Sequence, residues 1–239
     1  MKKLLGCLMV MGLVVSFAAA EEAKKEGYTT SIAAGVSATD GNSDVKQGTV
    51  NVLTEGPLCK GALRAGADFA YGEIGGDTTN ENGKAFAGYR QPIQGELYGL
   101  LDNTLSYDAI ADVDYRLIVA PGLGYNLMNK EKVKLAVEGG PAYVWEEVGN
   151  EQDDYLALRF AERYDRKLAG TSKCWQSVEY LPRSDDFDDY LLNAEIGLEG
   201  ALTEKAALRL VVGDKYDSTP APGREENDVT VTGSLVYTL

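Results

Sequence analysis

A two-residue alternation of apolar and polar side chains starts near Tyr28 and runs to Leu239, and it limits the possible folds more than any other feature. In the last stretch Val229, Val231, Leu235, Tyr237 and Leu239 fall on one face, and Thr230, Thr232, Ser234 and Thr238 on the other. A period of two is that of a strand with one apolar and one wet side. About a dozen such stretches follow one another. No helical pattern lies between them to cover a sheet, so the strands must stack as a sandwich or close into a barrel.

The first twenty residues have the layout of an export signal. Lys2 and Lys3 precede an apolar run from Leu4 to Phe17, and Ala18-Ala19-Ala20 supplies small residues for cleavage after Ala20. This predicts a signal over 1–20, a short periplasmic segment over 21–27 and one domain over 28–239. No other stretch could cross a membrane as a helix, which does not count against strands, because their alternation averages out in any hydropathy window. The chain carries a net charge of -14. Loss of Lys2 and Lys3 with the signal leaves 21 bases against 37 acids. Such an excess of acid argues against nucleic acid as a partner. Cys59 and Cys174 would face an oxidising compartment. A bridge between them needs Cα atoms within roughly 7 Å. Placed in turns on one rim but about six strands apart, they would sit on opposite walls of a barrel.

In the clearest strands an apolar outer row alternates with a small or charged inner row. Leu63, Ala65, Ala67, Phe69 and Tyr71 oppose Arg64, Gly66 and Asp68. Tyr115, Leu117, Val119, Leu123 and Tyr125 oppose Arg116, Ala120, Gly122, Gly124 and Asn126. Val133, Leu135, Val137, Tyr143 and Trp145 oppose Lys134, Glu138 and Glu146. Tyr190, Leu192, Ala194, Ile196 and Leu198 oppose Asn193, Glu195, Gly197 and Glu199. Tyr or Trp near the ends of many outer rows suits aromatic girdles at two membrane interfaces. A soluble sandwich or lipocalin-like barrel would instead turn bulky apolar rows inward. Here the glycine-rich, charged rows read as the crowded interior. The stretch 174–181 does not keep one phase, which predicts a bulge. Pro121 and Pro141 sit awkwardly in strands that need every donor.

The connections read as alternating in length. The longer set, 39–45, 72–83, 108–114, 147–154, 182–189 and 215–227, would lie outside the cell. The shorter set, 55–60, 91–95, 128–131, 169–173 and 202–205, would lie in the periplasm with both termini. The reading is therefore all-β: a closed, antiparallel, up-and-down outer-membrane β-barrel of about 12 strands, monomeric.

The segments "EYLP", "DDFDDY" and "KYDSTPAPG", with "GNSD" at 41–44 and "YRLIVAPGLGYNLMNKEKVKLAVEGGPAYVWEE" at 115–147, resemble a bacterial family of unknown function known as salt-induced outer membrane proteins. The resemblance covers nearly all of the chain after the signal. It implies a barrel in the outer membrane of a diderm bacterium, and no established activity. Such barrels are inserted by an assembly machinery that reads the last strand. The family more often ends in an aromatic residue, whereas this chain ends Tyr237-Thr238-Leu239.

The chain has no histidine. A Ser–His–Asp arrangement and a His-ligated metal are therefore impossible, and no carboxylate pair stands out, so the reading is of a non-enzyme with no cofactor. Arg64, Asp68, Arg116, Lys134, Glu138, Arg159, Arg163, Asp165, Glu195, Glu199, Arg209, Lys215 and Asp217 are expected to project into the lumen. They would either line a narrow, charge-selective pore or pair across a lumen too tight to conduct. The loop carboxylates Asp185, Asp186, Asp188 and Asp189 have oxygen chemistry suited to Ca²⁺ or Mg²⁺; a solvated loop is the alternative. The leading expectation is a small porin-like channel. The rival is a structural or surface-binding barrel whose acidic loops meet divalent cations or envelope lipid.

Overall fold

The computed structural model describes residues 27–39, 45–168 and 172–239. The export signal and the turn read at 40–44 lie outside the described residues. Twelve strands follow in order: β1 (Thr29–Thr39), β2 (Val45–Leu58), β3 (Gly61–Ile74), β4 (Asp77–Gln94), β5 (Leu97–Asp108), β6 (Val113–Asn129), β7 (Val133–Val148), β8 (Glu151–Lys167), β9 (Lys173–Pro182), β10 (Tyr190–Ala201), β11 (Ala206–Asp217) and β12 (Asn227–Thr238). Each pairs antiparallel with its sequence neighbours, and β12 returns to β1 to close the barrel.

The apolar rows point outward. Val137 is 38 %, Ile196 56 % and Val231 69 % exposed, so no second layer covers them and they form a continuous apolar band. Aromatic rings mark its two edges. Tyr71, Tyr143, Trp145, Tyr180, Tyr190 and Tyr216 lie toward the rim away from the termini, and Tyr89, Tyr125, Tyr164 and Tyr237 toward the terminal rim. Neighbouring rings touch: Tyr180 and Tyr190 are 5.3 Å apart between centroids, and Tyr190 stacks on Tyr216 at 5.5 Å.

Two expected long loops are instead hairpins. β3 and β4 continue through most of 72–83 and turn on Gly75-Gly76 alone, with φ of 62° and 95°. β7 and β8 turn on Gly149-Asn150, with φ of 60° and 66°. Two successive positive φ values make the tight turn that matches strand twist. The polar residues of 77–82 and 151–154 read as loop because their ladders extend beyond the apolar band. On this rim 183–189 and 218–226 remain long. The bulge expected at 174–181 is absent. β9 pairs without slippage on both sides, with Gln176 tolerated on the outer face because its amide donates to Glu162. Bulges fall instead between Gly72 and Glu73, at Pro92, near Tyr107, and at both ends of β6.

The awkward prolines have a structural consequence. Between the pairs Val119↔Tyr143 and Leu123↔Gly139 the β6–β7 ladder is interrupted, and Pro121 and Pro141 occupy the gap. Each stays paired on its other side, Pro121 with Leu101 and Pro141 with Leu158. A missing N–H on each strand removes the same stretch of ladder from both.

The interior is not purely charged. Ala120, Ala142, Val144, Tyr155, Ala157, Leu181 and Leu191 form a buried apolar cluster on the inner wall of β6–β10. Above it the 218–226 loop folds across the mouth, burying Ala221 to 3 % exposure beside Gly149 of the β7–β8 turn.

Candidate functional site: a charged barrel lumen

Inner-row side chains from different strands meet inside the barrel, and two networks organise them. The first joins β4, β5, β7, β8 and β9. Arg90 grips Asp102 with two N–H groups, one at 2.7 Å, and gives Nε and Nη2 to Glu138 at 3.1 and 3.0 Å. Tyr98 donates to the same carboxylate at 3.0 Å. Arg159 reaches Glu138 at 3.0 Å, Asp102 at 3.3 Å and Glu179 at 2.6 Å. Two guanidiniums and three carboxylates thus form one network in which Arg90 is two-pronged on both Asp102 and Glu138 and Arg159 gives one nitrogen to each of the three acids, which fixes their positions as well as stabilising them.

The second network crosses the barrel. Arg116 on β6 donates to its neighbour Glu146 on β7, and also to Asp217 on β11 at 2.8 Å. Five strand steps separate β6 from β11, so this contact spans opposite walls. Lys215 on β11 lies 3.7 Å from Asp108 on β5, six steps away. Near the mouth, the lumen is narrow enough for side chains from facing walls to touch.

All thirteen charged residues expected in the lumen share the inner register. Asp68 pairs with Lys84 at 3.2 Å and accepts from Asn51. Arg64 pairs with Glu55 at 3.2 Å and sits over Phe86. Arg163 forks onto Asp165, opposite Lys134 in register. Glu195 accepts from the Trp175 indole at 2.6 Å. Glu199 binds Arg209 at 2.7 Å and Lys173 at 3.1 Å. Sequence reading missed Arg90, Tyr98, Asp102 and Glu179 of the first network. Arg90 and Asp102 lie on β4 and β5, where Gly, Asn and Gln blur the alternation; a charged residue framed by Tyr89 and Leu101 was the available signal.

Three inner aromatics lie directly across from inner glycines: Phe86 from Gly66, Tyr98 from Gly124 and Trp175 from Gly197. A Cβ on Gly197 would fall 2.0 Å from the Trp175 ring. The glycines let each ring lie flat on the wall.

The acidic loop is organised by an arginine. Arg183 binds Asp153 at 2.6 Å and Asp185 at 3.0 Å, approaches Asp189 at 3.7 Å and lies 4.5 Å over Tyr155. The bond to Asp153 holds the Arg183 guanidinium above its ordinary pKa. Asp186 caps the backbone N–H of Asp188, and Asp189 accepts from Thr219. Among the described residues no three carboxylates or thiols converge as a metal would need. Cys59 and Cys174 are both free; Cys59 sits in the β2–β3 turn and Cys174 within β9, on the outer row.

An apolar outer band, aromatic edges and a charged interior define a membrane β-barrel of the porin fold. The chain belongs to the family described as a protein of unknown function, DUF481, whose model matches residues 32–239. No curated protein matches it. The solved NanC porin aligns with a TM-score of 0.50 and 8% identity, over 88% of this chain and 97% of that one. The KdgM porin aligns with a TM-score of 0.46 and 9% identity, over 88% and 98%. An anion-selective porin from Comamonas acidovorans aligns with a TM-score of 0.44 and 9% identity, over 89% and 98%. At 8% identity the likeness to the NanC porin speaks for the fold and for nothing finer.

Proposed function

We propose that this chain forms a narrow, water-filled channel for small solutes or ions in the outer membrane of a diderm bacterium, after an export signal over 1–20 is removed. The observation that carries the reading is the asymmetry of the lumen. The long charged side chains and the apolar cluster crowd the wall from β4 to β10. The opposite wall, β12, β1 and β2, turns inward the small side chains of Thr230, Thr232, Gly35 and Asn51, with Asp228 and Glu55 as charged exceptions toward its two ends and Ala33 and Val236 packed with Ala207. The small side chains at Thr230, Thr232, Gly35 and Asn51 are the ground for reading room beside the ion-pair networks, and a polar crescent in a membrane wall is wetted rather than packed.

A second reading has its own observation: the contacts Arg116–Asp217 and Lys215–Asp108 reach across the mouth. They favour a barrel that does not conduct, with its inner charges acting as a polar core. Purified protein in a planar bilayer separates the two. Stepwise current is expected; its absence over many insertions establishes the closed barrel. The finer name that the sequence motifs suggest adds that synthesis rises with external salt, which an immunoblot of cells grown with and without added salt tests. Lipid of the outer membrane and the barrel-assembly machinery are the partners this reading needs. It gives the chain no enzymatic role. With Asp153, Asp185 and Asp189 turned to Arg183, cation binding at the 183–189 loop receives no support.

A further inference from the structure

The lumen ion pairs are not symmetrical toward water. Lys215 is 57 % exposed and its partner Asp108 19 %. For Lys173 and Glu199 the figures are 52 % and 13 %, and for Lys84 and Asp68 48 % and 33 %. Arg163 and Asp165 are nearly balanced, and Arg64 with Glu55 leans the other way. In all three lysine pairs, then, the acid is tucked against the wall and the ammonium stands out into the lumen; Arg90 leans the same way toward Asp102 and Glu138, whereas Arg116 and Arg159 are more buried than Asp217 and Glu179. These three lysines are staggered along the barrel. Lys215 lies two residues from the mouth end of β11, Lys84 is in the middle of β4, and Lys173 opens β9 at the terminal rim. Arg64 on β3 and Arg163 on β8 also lie on the inner row, toward the terminal rim.

We infer that the channel prefers anions, and that its substrates are small anionic solutes such as carboxylates, passed along Lys215, Lys84 and Lys173. The inference rests on the channel reading above and adds the substrate class. The physical ground is distance. An ion in a narrow lumen meets the exposed ammonium first and the shielded carboxylate from farther away, so the near charge sets the sign of the field it feels. Low-dielectric walls focus that field. The acidic outer surface points to the opposite preference. It acts through water, however, where a Debye length of about 8 Å at physiological salt screens it, and three of its acids, Asp153, Asp185 and Asp189, are turned to Arg183, while Asp228 stands across from Lys215 in the ladder.

The test is the reversal potential of the full-length mature protein in a planar bilayer under a potassium chloride gradient. Chloride is expected to permeate about threefold or more over potassium, a ratio in keeping with focused single charges in a narrow pore. The combined variant Lys84→Gln, Lys173→Gln and Lys215→Gln should lose most of that preference while still conducting. Each single variant, tested alongside, should lose part of it, so a fold defect in the triple variant would not decide the matter. A reversal potential on the potassium side overturns the inference and leaves the channel standing. Unchanged chloride preference in all variants overturns the assignment to these lysines. No current from the unaltered protein overturns the channel reading itself.

Discussion

Glu138 receives hydrogen bonds from three side chains at once, Arg90, Arg159 and Tyr98. Its side chain is 12 % exposed, so its charge is compensated by those donors rather than by water. Replacing it, Glu138→Gln, leaves Arg90 with Asp102 and Arg159 with Glu179. The expected cost is about 2–3 kcal/mol, below the full cost of orphaning a buried charge because each arginine keeps at least one acid. Urea unfolding from lipid vesicles reads this as a lower midpoint. An unchanged midpoint would mean that Glu138 faces open water and the network does not form. At this scale, alternation alone was enough to put Glu138 on the inner row. It could not reveal that Glu138 meets Arg90, 48 positions earlier and three strands away, because nothing in a strand's period encodes which wall its side chain will reach. The same limit hid the Arg116–Asp217 contact.

Among the elements, the seam where β12 meets β1 differs from every other. Its ladder has four residue pairs, Ser31↔Thr238 to Ala34↔Leu235, whereas β1 and β2 share eleven. Beyond Ala34 the strands cross at Gly35 and Gly233, where a Cβ on Gly35 would lie 2.4 Å from the Gly233 carbonyl oxygen. Leu239 donates its N–H to Thr30 of β1 and Thr238 donates to Lys205, so odd-numbered amides of β12 face β1 and even-numbered ones face β11. Among the described residues the amides of Val229 and Val231 therefore have no partner in the β1 ladder, while those of Thr230 and Thr232 have one on β11. Hydrogen exchange in micelles is expected to alternate along this segment, faster at the two valines. Uniform protection would show that the seam zips along its whole length. Sequence could not foresee this, because β1 and β12 alternate as regularly as any pair. It did flag Pro121 and Pro141, since a missing donor is a local property, and the ladder breaks where they sit. It misjudged 72–83 and 147–154 because polar strand residues beyond the apolar band look like loop.

For the whole molecule, the number of strands and their order were legible because an up-and-down barrel repeats one local rule, and the register errors of single elements do not change closure. What was not legible was how full the lumen is. The apolar cluster around Val144 and Leu181, and the fold of the 218–226 loop onto the mouth, arise from contacts between strands that the alternation treats as equivalent. The central claim is that one row of every strand touches hydrocarbon and the other faces the lumen. The two tryptophans report on it from opposite rows: Trp145 lies on the outer row of β7, and Trp175 on the inner row of β9 against Gly197. The most direct measurement is fluorescence quenching by brominated lipid in vesicles, using Trp175→Phe to isolate Trp145 and Trp145→Phe to isolate Trp175. Strong quenching of Trp145 and little of Trp175 is the expected result; equal quenching of both, or the reverse order, would contradict the account.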